Sequence, residues 1–153
     1  MTSVQASVEI AAPPSTVWAV LVGFESYREW NPLIRRVDGR PEPGRRLRVV
    51  LTQTGLPPTL IAPEVTHVVA ERELSWRSEA PIPGAFDASH SFLLEPVGDG
   101  SRTRFTQTET FGGVAGALVP CPLRDRIREG FRSMNGALRE RVETGVGAGD
   151  GSD

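Results

Sequence analysis

The stretch GAFDASHSFLLEPVGDGSRTRFTQTETFG, residues 84 to 112, decides how this sequence folds. Two segments in which apolar and polar residues alternate flank the dipeptide Asp99-Gly100. Such a dipeptide favours a two-residue hairpin turn, because both central positions of that turn need positive φ. With the dipeptide at the tip, Gly98 pairs with Ser101, and counting outward sets His90 opposite Glu109. The stretch therefore predicts a long β-hairpin with a defined register.

The register sorts the hairpin residues onto two faces, because side chains alternate across a strand. One face is mostly apolar and must look into the protein; it carries His90, Phe92, Leu94, Phe105, Gln107, Glu109 and Phe111. The other face can meet water; it carries Ser89, Ser91, Glu95, Arg104, Thr106, Thr108 and Thr110. Cross-strand neighbours have Cβ atoms about 5 Å apart. An imidazole beside a carboxylate on an apolar wall indicates a pocket.

The residues before the hairpin predict one strand, two short helices and further strands. Val4 to Ile10 alternates as a strand does, and Pro14 can begin a helix over 14–22, since proline is tolerated in a first turn. A second helical turn over 26–30 ends before Pro32, because the residue that precedes proline avoids the helical region. The remaining strands are predicted near 34–39, 46–53, 60–70, 73–79, 84–97 and 101–112.

A long amphipathic helix is predicted over residues 122–143. Its apolar residues recur at intervals of three and four, which is the spacing of one helix face. They are Leu123, Ile127, Phe131, Met134, Leu138 and Val142. The sequence thus predicts one domain over 1–144, in which this helix covers the sheet, and a disordered C-terminal tail over 145–153 that is rich in glycine.

Composition sets the class of protein. The chain has 153 residues, of which 39% are hydrophobic and 24% charged, as in soluble globular domains. No run approaches the roughly 20 apolar residues of a membrane helix, and the N-terminus lacks a secretory pattern. We therefore expect a cytoplasmic location and no stable membrane insertion. The net charge of −2 and the lack of basic residues interleaved with aromatic ones predict no nucleic-acid partner.

Cysteine and histidine are too few for common metal sites. The single Cys121 excludes an internal disulfide and a cysteine-based zinc cluster, and there are two histidines. No glycine-rich phosphate loop follows a strand and opens a helix. The sequence therefore predicts no metal and no cofactor. Of the two histidines, His67 is expected at the surface or rim, although the pattern around it fits either strand face.

Three motifs carry a resemblance to a known family. They are IAAPPSTVWAVL (10–21), FESYREWNPLI (24–34) and HSFLLEPVGDGSRTRFTQTETFGG (90–113). With the order of the predicted elements, they resemble the START/Bet v 1-like superfamily, also called SRPBCC, and in particular its bacterial polyketide cyclase/dehydrase-like branch. The likeness covers residues 3–143. It implies an α+β helix-grip fold: a bent antiparallel sheet of about seven strands around a long C-terminal helix, with an elongated apolar cavity between them.

The resemblance leaves three functions open, because the fold does not determine function. The first is binding of a small hydrophobic or aromatic ligand, by a monomer or a homodimer, with His90, Glu109 and Gln107 orienting it. The second is a polyketide cyclase/dehydrase-type enzyme, with His90 as acid or base and Glu109 as its orienter. The third is a co-chaperone or toxin-like interaction module.

The pair His90–Glu109 accordingly has three interpretations: polar anchors for a ligand, catalytic groups, or a structural hydrogen bond. Further ligand contacts are expected from apolar residues of the sheet and of the long helix, together with one amide. These candidates are Trp76, Phe92, Phe105, Gln107, Phe111, Phe131 and Met134. The glycines Gly112, Gly113 and Gly116 predict either a pliant lid at the cavity mouth or an ordinary loop.

Overall fold

The computed structural model describes the backbone of residues 2–53 and 56–151 and confirms the predicted α+β class. The strands are β1 (Thr2–Ile10), β2 (Ile34–Asp38), β3 (Arg48–Leu51), β4 (Thr59–Ile61), β5 (Glu64–Val69), β6 (Glu73–Glu79), β7 (Asp87–Val97) and β8 (Arg102–Gly112). The helices are α1 (Pro14–Leu21), a 3-10 turn (Phe24–Ser26), α2 (Tyr27–Trp30), α3 (Gly113–Gly116) and α4 (Cys121–Gly151). Within the described residues, no helix is both long and apolar enough to cross a membrane.

The strands form two antiparallel sheets. The larger has the order β1-β8-β7-β6-β5, and the smaller has the order β2-β3-β4. An isolated bridge between Arg46 and Glu64 connects them. The strand predicted over 60–70 is divided into β4 and β5 at Pro63, which has no N–H to donate to a ladder. The carbonyl of Pro63 instead accepts from the N–H of Leu47 at 2.8 Å.

The β7–β8 hairpin has the predicted register, with His90 opposite Glu109 and the last pair at Val97 and Arg102. The turn chemistry differs from the prediction, because positive φ occurs at Gly98 (64°) and Gly100 (90°) and not at Asp99. The Asp99 carboxylate accepts from the Ser101 N–H at 3.0 Å and from its hydroxyl at 2.6 Å. The bond from the Ser101 hydroxyl and, to a smaller extent, the bond from its N–H hold the pKa of Asp99 below its ordinary value. A side-chain cap therefore closes the tip.

Helix α4 packs against β1, β8, α1 and α2. Its residues Phe131, Met134, Leu138 and Val142 are buried as predicted, whereas Leu123 in the first turn is 40% exposed. The helix continues to Gly151, past the predicted end at 143, although the glycines there have low helix propensity. The tail predicted over 145–153 overlaps this helix and otherwise lies outside the described residues, so the domain boundary stays a prediction.

The connection from α1 to β2 is held by two buried polar side chains. The hydroxyl of Tyr27 donates to the carbonyl of Leu21, and burial raises the pKa of this tyrosine. The Asn31 side-chain oxygen accepts from the N–H groups of Leu33 and Ile34 at 3.0 and 2.8 Å. These bonds determine where β2 begins, and they orient Leu33 toward α4.

Candidate functional site

A chamber of about 210 Å³ lies between the larger sheet, the smaller sheet and α4. It is lined by Leu33, Leu51, Gln53, Ile61, Trp76, Ser78, Phe86, Ala88, His90, Glu109, Phe111, Ile127 and Phe131. The wall is mainly apolar with a few polar groups, which is the usual form of a small-molecule site.

The polar centre of the chamber wall is the pair of His90 and Glu109. His90 Nδ1 lies 3.0 Å from Glu109 Oε2, and the side chains are 8% and 21% exposed, respectively. The other ring nitrogen, Nε2, lies 3.0 Å from Gln107 Oε1. Both nitrogens of His90 are therefore occupied by protein groups. Glu109 is the more accessible partner, and its Oε1 makes no hydrogen bond within the described residues.

The hydrogen bonds continue from the pair into α4. Gln107 Nε2 donates to Asn135 Oδ1 at 2.8 Å and to the Phe131 carbonyl at 3.4 Å. The side chains Glu109, His90, Gln107 and Asn135 thus form a chain that crosses from the chamber wall to the helix; we call it the polar relay. Asn135 was missed by the sequence analysis, although its place four residues after the inward-facing Phe131 was the available signal.

The orientation of the Gln107 amide decides which atom donates between Gln107 and His90. With Gln107 Oε1 facing the ring, Nε2–H of His90 donates to it, and Gln107 Nε2 donates to Asn135 Oδ1 and to the Phe131 carbonyl. With the amides of Gln107 and Asn135 both rotated, Gln107 donates to His90 Nε2 and Asn135 Nδ2 donates to Gln107, but the bond to the Phe131 carbonyl is lost. In both arrangements His90 Nδ1 lies within hydrogen-bond distance of Glu109 Oε2.

Aromatic side chains fix the plane of the imidazole. The ring of His90 stacks on Phe92 with a centroid distance of 4.3 Å and an interplanar angle of 21°. Phe131 and Trp76 flank it at 5.0 and 5.7 Å. Aromatic contacts on several sides leave the imidazole few alternative orientations, so the direction in which it presents Glu109 is set by packing.

The predicted site residues fall into two groups. Trp76, Phe111 and Phe131 line the chamber together with His90 and Glu109. Four others are buried in the core and do not line it; they are Phe92, Phe105, Gln107 and Met134. The reason is the position of the chamber, which lies toward the end of the hairpin opposite its turn. Nearer the turn, Leu94 and Phe105 are buried in the core, and β7 and β8 also contact α1.

Some lining residues follow from strand alternation and others do not. Ser78 and Ala88 continue the faces of Trp76 and His90 by one step of two residues, so alternation could have found them. Leu33 and Gln53 belong to the small sheet and its flanks, where nothing in the sequence shows what they contact. His67 is exposed, as expected, and a register shift between Val65 and His67 explains why its strand face could not be chosen.

Comparisons with known proteins agree with this architecture. Residues 1–143 match the family model described as polyketide cyclase / dehydrase and lipid transport. The Zhui aromatase/cyclase from Streptomyces sp. R1128 has a similar structure, with a TM-score of 0.73, 21% identity and 95% coverage of each chain. A START superfamily protein from Mycobacterium smegmatis has a TM-score of 0.71 and 23% identity, over 93% of this chain and 97% of that one. No curated protein matches the sequence.

Proposed function

Because the chain belongs to the polyketide cyclase/dehydrase and lipid transport family, within the START/Bet v 1-like superfamily, we propose that it binds a small hydrophobic or aromatic ligand between the sheet and α4. The observation that carries the proposal is the open apolar chamber of about 210 Å³ with the His90–Glu109 pair in its wall. Such a chamber favours a ligand site over the interaction-module alternative, which expects a filled interior.

Within this proposal, Glu109 is the group that contacts the ligand and His90 is its positioning residue. Oε2 of Glu109 is held by His90, so Oε1 is left to accept a hydrogen bond from a ligand. A phenolic or enolic hydroxyl supplies the matching donor. The relay behind His90 uses Gln107 and Asn135 as supports rather than as contacts, which changes the role predicted for Gln107. The cytoplasmic location and the choice between monomer and homodimer remain predictions.

We expect Glu109→Gln to weaken the binding of 2-naphthol at least about tenfold, since hydrogen bonds to charged groups contribute about 1.5–3 kcal/mol. The binding of 2-methylnaphthalene, in which a methyl group replaces the hydroxyl, should change little. Naphthyl fluorescence during titration gives both dissociation constants. Glu95→Gln, which alters an exposed carboxylate of β7 outside the chamber, is the matched control. Equal losses for both ligands would contradict a hydroxyl–Glu109 contact.

The same pair supports cyclase/dehydrase-type chemistry as a second function. Both nitrogens of His90 are bonded, so the group placed to remove a proton from carbon next to a carbonyl is Glu109, with His90 stabilising its charge. The resulting carbanion attacks a second carbonyl carbon, and the new alkoxide takes back the proton from the Glu109 carboxyl group. Glu109 then removes a second proton from the attacking carbon while the hydroxide leaves, and that proton converts the hydroxide to water. We therefore propose Glu109 as the general base, in place of His90, which the sequence analysis had proposed as acid or base.

Proton abstraction can be tested without the natural substrate. We expect an enzyme of this type to accelerate exchange of the C2 protons of 1-tetralone in D2O, followed by mass spectrometry, and Glu109→Gln to abolish the acceleration. The Glu95→Gln variant should retain it. Binding of 1-tetralone without accelerated exchange would leave the ligand-binding function and remove the enzymatic one.

A further inference from the structure

A second cavity lies beside the chamber, on the other side of a thin partition. This outer compartment has a volume of about 190 Å³. Its lining includes Leu33, Gln53, Arg126, Glu129 and Gly130. Leu33 and Gln53 line the chamber as well, so their side chains separate two spaces that together form one elongated volume.

The partition consists of the Leu33 and Gln53 side chains, which pack against α4 at Gly130. One weak hydrogen bond holds Gln53 in place. Gln53 Nε2 donates to the Arg126 carbonyl at 3.4 Å, which is long for a hydrogen bond. A Cβ at Gly130 would lie 3.0 Å from Leu33 Cδ1 and 3.1 Å from Gln53 Nε2. Both side chains pack against the helix where residue 130 has no Cβ, and an added methyl group would press on both. Among its side-chain hydrogen bonds within the described residues, only this long bond holds Gln53 in the partition.

The outer compartment differs from the chamber in its charge. Arg128 pairs with Asp125 at 3.2 Å, and Arg132 pairs with Glu129 at 3.7 Å. Arg126 has no carboxylate within 4.0 Å among the described residues. The charge of Glu129 is thus matched by its neighbour on the helix, and the guanidinium of Arg126 is left for an external anion. Arginine binds carboxylates through two parallel hydrogen bonds.

We propose that the ligand is an amphiphilic acid that spans both spaces. Its apolar ring system occupies the chamber with a hydroxyl on Glu109, and a short tail passes the Leu33–Gln53 partition to place a carboxylate on Arg126. The inference rests on the proposed ligand-binding function and adds the chemical class of the ligand. It also makes Gln53, Arg126 and Gly130 the residues that determine specificity.

The test compares 2-naphthol with 3-(6-hydroxy-2-naphthyl)propanoic acid, which carries the same hydroxyl and an acidic tail at the opposite end. We expect the acid to bind the wild-type protein about fivefold to tenfold more tightly, as for a charge-assisted hydrogen bond near the surface. In Arg126→Gln, the ratio of the two dissociation constants should fall to near one. Arg139→Gln, an exposed change further along α4, should retain the wild-type ratio.

A second pair of variants tests the partition itself. Gly130→Ala should reduce the advantage of the acid, because the added methyl group presses on Leu33 and Gln53 where the tail must pass. Gly136→Ala adds the same methyl group where nothing lies within 4 Å and should leave the ratio unchanged.

The outcomes separate this inference from the proposed function. If 2-naphthol binds but the acid has no advantage, or its advantage survives Arg126→Gln, the outer compartment is not part of the site. An equal loss in Arg126→Gln and Arg139→Gln would show general charge attraction and would likewise overturn the inference. If neither compound binds, the ligand-binding proposal fails and this inference fails with it.

Discussion

The substitution Gln107→Leu is expected to lower the free energy of unfolding by about 3 kcal/mol, because it leaves two buried polar groups without their partner. Leucine is close to glutamine in size, so little cavity is created. His90 Nε2 loses its contact at 3.0 Å, and Asn135 Oδ1 loses its contact at 2.8 Å. Each buried group left unpaired costs about 1–3 kcal/mol. Urea denaturation followed by circular dichroism measures the change.

A double-mutant cycle shows whether the loss comes from the polar relay. Asn135→Leu removes one of the two groups that Gln107→Leu orphans, so the combined loss should be smaller than the sum of the single losses. Thr108→Val, on the opposite face of β8, should stay within about 0.5 kcal/mol of the wild type. Additive losses at residues 107 and 135, or an unchanged stability of the Gln107→Leu protein, would refute the relay.

The substitution Gly113→Ala is expected to lower the free energy of unfolding by about 3 kcal/mol, from backbone strain and a steric clash together. Gly113 has a φ of 77°, where a residue with a Cβ is strained by about 1–2 kcal/mol. That Cβ would also lie 2.8 Å from the backbone nitrogen of Phe86 and 2.9 Å from the Ala85 carbonyl oxygen. Neither backbone atom can move alone, so the whole segment must shift. Thermal unfolding measures the loss.

The matched control is Gly98→Ala in the hairpin turn, where φ is 64° and no atom lies within 4 Å of the added Cβ. This variant carries the strain without the clash and should lose only about 1–2 kcal/mol. Equal losses in the two variants would mean that the approach to Phe86 is not what requires glycine at 113. Because Phe86 lines the chamber, we further expect Gly113→Ala to weaken the binding of 2-naphthol.

Hydrogen bonds near Gly113 also decide between the two predictions made for Gly112, Gly113 and Gly116, a pliant lid or an ordinary loop. Val114 N donates to the Gly84 carbonyl at 3.1 Å, and Ala115 N donates to that of Ala85 at 2.8 Å. Residues 113–116 form the short helix α3 and are tied to the segment before β7. Glycine is present here for close approach rather than for pliancy.

The sequence by itself determined the features that arise from residues near one another along the chain. Alternation on either side of a short turn is enough to predict the β7–β8 register, since the strands are joined directly. The inward face of α4 from Ile127 to Val142 likewise follows from helical spacing. The hairpin register also predicted the His90–Glu109 pair, whose members are cross-strand neighbours.

Only the tertiary structure decided what surrounds that pair. Gln107 bonds to the second ring nitrogen of His90. The same amide bonds to Asn135, which lies 28 residues further along the chain. His90 is therefore held in place by protein groups on both nitrogens. Leu33 and Gln53 approach the helix at Gly130 from the other sheet, and nothing in their local pattern predicts it. Periodicity assigns a side chain to a face, whereas packing between distant elements decides whether that face meets a ligand space or another side chain.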